Sequence, residues 1–158
     1  MSLNYSFYVE TSESRDQVID SLQRAIRQSS KTESGILAPG LVVDVRVSDE
    51  EDIEYVKRRF QFEPNLTLYF HKLKFNDFEE SDKSLVLAVL RLMDKGAGDS
   101  ALEFDSGDIL LRRVSGQILL NSGGDFWKPS ILSFVDVPYK MSDDKDMAST
   151  SLNQIRQG

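Results

Sequence analysis

Five carboxylates fall within six consecutive positions, Asp49, Glu50, Glu51, Asp52 and Glu54, and a second group, Asp77, Glu79, Glu80 and Asp82, repeats the density further along. Acids at this spacing can gather a hard cation through oxygen ligands, or present negative charge to a basic partner. The first use is disfavoured, because neither run has the mid-loop glycine and terminal glutamate of a calcium-binding EF-hand loop. Each group precedes an apolar helical pattern, and the positive end of a helix dipole accommodates acids in its first turn. All nine residues are therefore candidate partner-binding acids, weighed against the commoner role of a solvated helix start.

Other chemistry finds little support. His71 is the only histidine and lies in a strand pattern beside Tyr69 and Leu73, with no second histidine to build a metal-ligand pair. There is no cysteine, so thiolate zinc sites, disulfides and cysteine nucleophiles are removed together. The glycines form neither GxGxxG nor GxxxxGK[ST], and no serine sits in a GxSxG elbow. The basic islands Lys57-Arg58-Arg59 and Arg112-Arg113 suit strand and helix salt bridges better than phosphate binding. Trp127, between Phe126 and Pro129, reads as a core plug beside a helix start. The expectation is a non-enzyme with no metal and no cofactor.

A formal charge of −7 and a pI near 4.7 oppose nucleic-acid binding, which depends on cationic side chains neutralising phosphates. The same excess suits solubility, or steered encounter with a basic protein. The opening MSLNYSFYVE has no basic and apolar leader pattern, and no apolar run approaches the roughly 18 residues that a membrane span requires. A cytoplasmic location without membrane attachment is expected.

The elements that must position these residues follow from periodicity. Leu3 to Val9 alternates as a half-buried strand, and Ser14 with Gln17 has capping-box spacing before a helix over 15–28. The loop 29–35 leads to a short apolar segment, 36–38, and then to the alternating strand 41–47. Ser48 with Glu51 suggests a cap for a second helix, and 66–73 is a strand rich in aliphatic and aromatic residues, expected to be central. Residues 79–93 form a long helix whose middle, Leu85 to Leu90, is wholly apolar, so it should be covered on more than one side. A strand at 101–104 precedes a hairpin, 109–114 and 117–120, around Ser115-Gly116, and Pro129 opens a helical turn.

This order implies an α+β fold: a mainly antiparallel sheet packed against two principal helices in a single layer. One domain should cover residues 1–140, long enough to bury a substantial core. Residues 141–158 read as a disordered polar tail.

The Leu3-Asn-Tyr-Ser-Phe7 strand, Phe60-Gln-Phe62 with Pro64, the strand ending Tyr69-Phe-His-Lys72, the long apolar helix, Asp108-Ile-Leu-Leu-Arg112, and Asp125-Phe-Trp127 with Pro129 together resemble the immunity proteins of bacterial swarming inhibition toxin (Sit) systems. The resemblance covers roughly residues 1 to 140. It implies a cytoplasmic protein that binds and neutralises a cognate toxin in contact-dependent bacterial competition, and it carries over no catalytic residue. The acidic balance is compatible with a basic toxin. The alternative is a small-molecule-binding module or an unrecognised enzyme, with a pocket between the sheet and the long helix near His71, Tyr69 and Arg112.

Overall fold

The computed structural model describes residues 3–73, 78–93, 98–105, 107–143 and 147. Asp77, one of the candidate acids, lies outside them.

Strand β1 (Asn4–Val9) alternates as its sequence requires: Tyr5, Phe7 and Val9 enter the main core, while Tyr8 is buried on the opposite face. Helix α1 (Arg15–Ala25) begins with the expected capping box, in which the Ser14 side chain accepts from the Gln17 N–H and the Gln17 side chain accepts from the Ser14 N–H. It ends earlier than expected, because Ile26 is already extended and Gln28 adopts a positive φ of 62°. The loop expected at 29–35 contains β2 (Ser30–Lys31), an edge strand too short to show a period, which pairs with β3 (Gly35–Ala38). β4 (Leu41–Val47), α2 (Glu50–Phe60), β5 (Leu66–Lys72) and α3 (Phe78–Met93) follow. The second half holds β6 (Ser100–Phe104), β7 (Ile109–Val114), β8 (Gln117–Asn121), α4 (Pro129–Leu132) and β9 (Lys140–Ser142). Ser115 and Gly116 both take positive φ, the backbone that joins β7 to β8 in a tight hairpin.

The strands form one sheet in the order β2-β3-β4-β5-β1-β6-β7-β8-β9, antiparallel throughout except for the parallel β8–β9 pair. β5 is interior, between β4 and β1. The fold is α+β, with a mainly antiparallel sheet and α1 and α3 as its principal helices. α3 touches α1, α4, β4 and β5, so its wholly apolar middle has partners on several sides. Burial of that segment against Phe7, Val43 and Leu68 forms the main core.

One expectation is corrected: the helices do not occupy a single layer. Val56 and Phe60 of α2 pack with Tyr8, Ala101, Ile109 and Leu119, which point away from the α1/α3 face. The physical reason is that the strand positions beneath α2 are themselves apolar or aromatic, so this part of the second face also needs cover. Of the tail expected at residues 141–158, the described residues are 141–143 and 147. Met141 and Ser142 belong to β9, and Met147 is 1% exposed in the same smaller core as Phe60.

Candidate functional site

Helix α2 is fastened to the sheet through a buried carboxylate. Glu103 lies on β6 on the same face as Ala101, and its side chain is only 9% exposed. Its Oε1 accepts from the Tyr8 hydroxyl at 3.0 Å, and its Oε2 accepts from the Tyr55 hydroxyl at 2.8 Å and from Arg59 Nη1 at 2.7 Å. Arg59 Nη2 also donates to the Gly107 carbonyl at 2.6 Å, and Arg59 Nη1 meets the Tyr55 hydroxyl. Arg112, 1% exposed, donates to the Phe60 carbonyl at 2.9 Å and lies 5.2 Å from the Phe60 ring centre. Burial, reinforced by the charge of Glu103, pushes the Tyr8 phenol well above its ordinary pKa. Burial, then the Glu103 hydrogen bond, raises that of Tyr55, and burial lowers that of Arg112.

The acids at the start of α2 divide into two kinds. Asp49 is the N-cap, its side chain accepting from the Asp52 N–H at 2.8 Å, and Asp52 accepts from the Tyr69 hydroxyl at 3.0 Å. Burial and that carboxylate push the Tyr69 phenol up to about 12. Glu50, Glu51 and Glu54 are exposed. Ser48, expected as the cap, instead shares a buried 2.8 Å hydrogen bond with Thr67, because the chain is still strand-like there and Asp49 is the residue that turns into the helix. The result is a short row of free carboxylate side chains on a helix held at both ends, by Asp52–Tyr69 and by Arg59–Glu103.

The second acidic group is not brought beside the first. β4 and β5 are antiparallel, with Val47 opposite Leu66 and Leu41 opposite Lys72. α2 leaves the Val47 end of this pair and α3 begins after its Lys72 end, and the two helices lie on opposite faces of the sheet. Glu79 and Glu80 are exposed, whereas Asp82 is buried in an ion pair with the buried Lys72.

With this geometry in view, the comparisons place the chain. Residues 3–130 of the 158-residue chain match the SitI3-like family. The chain belongs to the SitI3-like family. The expected resemblance to Sit immunity proteins thus stands. No curated protein and no solved structure matches it.

The matched segment of this SitI3-like chain runs from β1 into α4 and includes every residue of the Glu103 network. Sequence reading missed that network. Its one signal was Glu103 itself, a carboxylate between Leu102 and Phe104 in a strand, which period-2 alternation places on the face of Ala101; the partnership with Tyr8 comes from the pairing of β6 with β1. The Arg59 and Arg112 roles agree with the structural reading of the two basic islands.

Among the described residues, the pocket expected between the sheet and the long helix near His71, Tyr69 and Arg112 does not form. α3 packs against Phe7, Val43 and Leu68, whereas His71, Tyr69 and Arg112 belong to the other face, with Arg112 sealed beneath α2. His71 is exposed there, its Nδ1 2.5 Å from Asn4 Oδ1. Trp127 is buried, as its apolar neighbours suggested, and donates its Nε1–H to the Leu110 carbonyl at 2.7 Å. Among the described residues, no group of three or more His, Asp or Glu side chains could hold a metal, and no helix is long and apolar enough to cross a membrane.

Proposed function

We propose that this protein is a toxin-neutralising immunity factor that binds a cognate polymorphic toxin in the cytoplasm during contact-dependent bacterial competition. It acts by occlusion and is not an enzyme: no bond is made or broken within it. Membership of the SitI3-like family supports the class of partner. The observation that carries the binding reading is the clamped acidic row on α2, where Glu50, Glu51 and Glu54 are free to meet a basic surface while Asp49 and Asp52 hold the helix. A rigid charged element binds with less ordering cost than a mobile one, and complementary charge raises the association rate. Glu79 and Glu80 lie at the far end of the sheet on its other face, so a flat interface centred on α2 does not include them.

Co-expression with the toxin-like product encoded beside the gene tests the reading. The expected outcome is survival of the host and a one-to-one complex. A neighbouring toxin that kills regardless, and does not co-purify, overturns it. With the complex in hand, Glu50→Lys/Glu51→Lys/Glu54→Lys should slow association about tenfold at low salt and flatten its salt dependence. Unchanged kinetics with an intact complex would move the interface off α2.

A further inference from the structure

Where the end of α1 meets the first half of α3, a cavity of about 450 Å³ opens, bounded by the β3–β4 turn and by Phe134 after α4. This is within the roughly 300–1,000 Å³ typical of small-molecule sites. Its apolar floor is open to the cavity, since Ala25, Pro39 and Leu87 are each only half-buried. Local hydrogen bonds fix the frame. Ser84, buried on α3, donates to the Pro39 carbonyl at 3.1 Å, which ties the turn to the helix. The Ser29 hydroxyl donates to the Ile26 carbonyl at 2.6 Å, which holds the chain as it leaves α1. A preformed frame lowers the ordering cost of taking up a small guest.

Three charged side chains line the same cavity, Arg27, Glu80 and Lys83. All three are exposed, and among the described residues none forms an ion pair or a hydrogen bond. Lys83 makes one contact, its Nζ 4.7 Å from the centre of the Phe134 ring, which sets the ammonium at the cavity wall and leaves its N–H donors open. Glu80 and Lys83 are three positions apart on α3 and so leave the same side of the helix, yet they do not pair with each other. Two cations and one carboxylate around an apolar floor discriminate between guests. A cation is repelled by Arg27 and Lys83, and a simple anion by Glu80. A neutral apolar molecule strips water from all three without a compensating contact. A molecule with a carboxylate and an ammonium on one carbon, and an apolar chain beyond them, satisfies every group at once.

The geometry points to a binding site for a free α-amino acid with an apolar side chain. Arg27 and Lys83 hold its carboxylate, Glu80 holds its ammonium, and the side chain lies on Ala25, Pro39 and Leu87. A peptide terminus offers only one of the two charges at that carbon and leaves part of the site unmatched. The site gives Glu80, which lies away from the acidic row on α2, a role of its own, and it is independent of the toxin reading.

Titrating the full chain with L-leucine, followed by amide resonances, tests the assignment on the native protein. Saturable shifts are expected at Arg27, Gln28, Ser84 and Leu87, with a Kd on the order of 1 mM given the strength of exposed ion pairs. Isocaproate lacks the ammonium, isoamylamine lacks the carboxylate, and N-acetyl-leucinamide lacks both charges; each should bind about fivefold more weakly or worse. Glu80→Gln should weaken leucine about fivefold and tighten isocaproate, whereas Arg27→Gln/Lys83→Gln should weaken both. The three side chains are exposed, so unfolding midpoints should not change. Should a variant lose stability, the comparison of the four compounds on the native chain decides by itself. No saturable shift with leucine, equal affinity for N-acetyl-leucinamide, or a Glu80→Gln effect of the same sign on leucine and isocaproate would overturn the assignment.

Discussion

Arg59 on α2 and Glu103 on β6 meet at 2.7 Å beneath the helix, joining residues far apart in sequence. The contact is more than a surface ion pair, because Glu103 is almost fully buried and also accepts hydrogen bonds from Tyr8 and Tyr55. Removing the carboxylate strands three donors at once. Glu103→Ala should therefore cost about 3 kcal/mol in urea unfolding, at the level of other broken buried pairs. Arg59→Ala should cost less, since Arg59 is more exposed and both tyrosines would keep their acceptor. Equal and small losses for the two variants would remove the network from the account of how α2 is held.

Lys72 and Asp82 form a second buried pair, between β5 and the first turns of α3, with the ammonium 5.2 Å from the centre of the Tyr5 ring. Asp82→Ala leaves a buried ammonium without its counter-charge and should destabilise by about 3–5 kcal/mol. Lys72→Met/Asp82→Leu should recover most of that loss, because well-packed apolar groups replace both charges without a desolvation cost. A double variant as unstable as the single one would mean that the pair fixes the α3 geometry itself.

Alkaline pH should weaken the fold through its tyrosines. Tyr69 titrates at about 12 against an ordinary 10.0, and Tyr8 and Tyr55 are also raised. Between these limits the folded chain retains protons that the unfolded chain has lost, so stability falls as pH rises. The contribution is fully present below pH 10 and is lost from there through about 12 for Tyr69, and higher for Tyr8. Tyr8→Phe should flatten the decline, measured as denaturation midpoints across that window alongside phenolate absorbance. An identical slope in the variant would sink this assignment.

Met147 tests where the domain ends. The sequence expectation of a tail from residue 141 makes Met147→Ala neutral, whereas its burial against the smaller core makes the same change cost about 2–3 kcal/mol. Urea unfolding of the variant decides between the two.

Gly35 offers a backbone test of the β3–β4 register. A Cβ there would lie 1.9 Å from the Val43 carbonyl oxygen, so the strands would have to separate. Gly35→Ala should cost about 3 kcal/mol and reduce amide protection in β3, with β7 and β8 unaffected. Full stability in that variant would refute the close approach.

Local signals were legible because they depend on near neighbours. The Ser14–Gln17 capping box, the alternation of β1, the Ser115–Gly116 hairpin and the apolar α3 each followed from residues a few positions apart. Boundaries were less so. Ser48 resembled a cap, but its hydroxyl is committed to Thr67, a partner that only strand pairing supplies.

The sequence by itself determined the α+β class, the antiparallel hairpins, the acidic balance and the family, because each is carried by local pattern, by composition or by the spacing of aromatic and proline positions. Only the tertiary structure decided which acids are free. Asp52 and Asp82 read like their neighbours, yet one accepts from Tyr69 and the other is buried with Lys72. It also set the two acidic helix starts on opposite faces and ends of the sheet and gathered Tyr8, Tyr55 and Arg59 around the buried carboxylate of Glu103. Strand order and register bring distant segments together through long-range pairing, and no periodicity within a single segment encodes that choice.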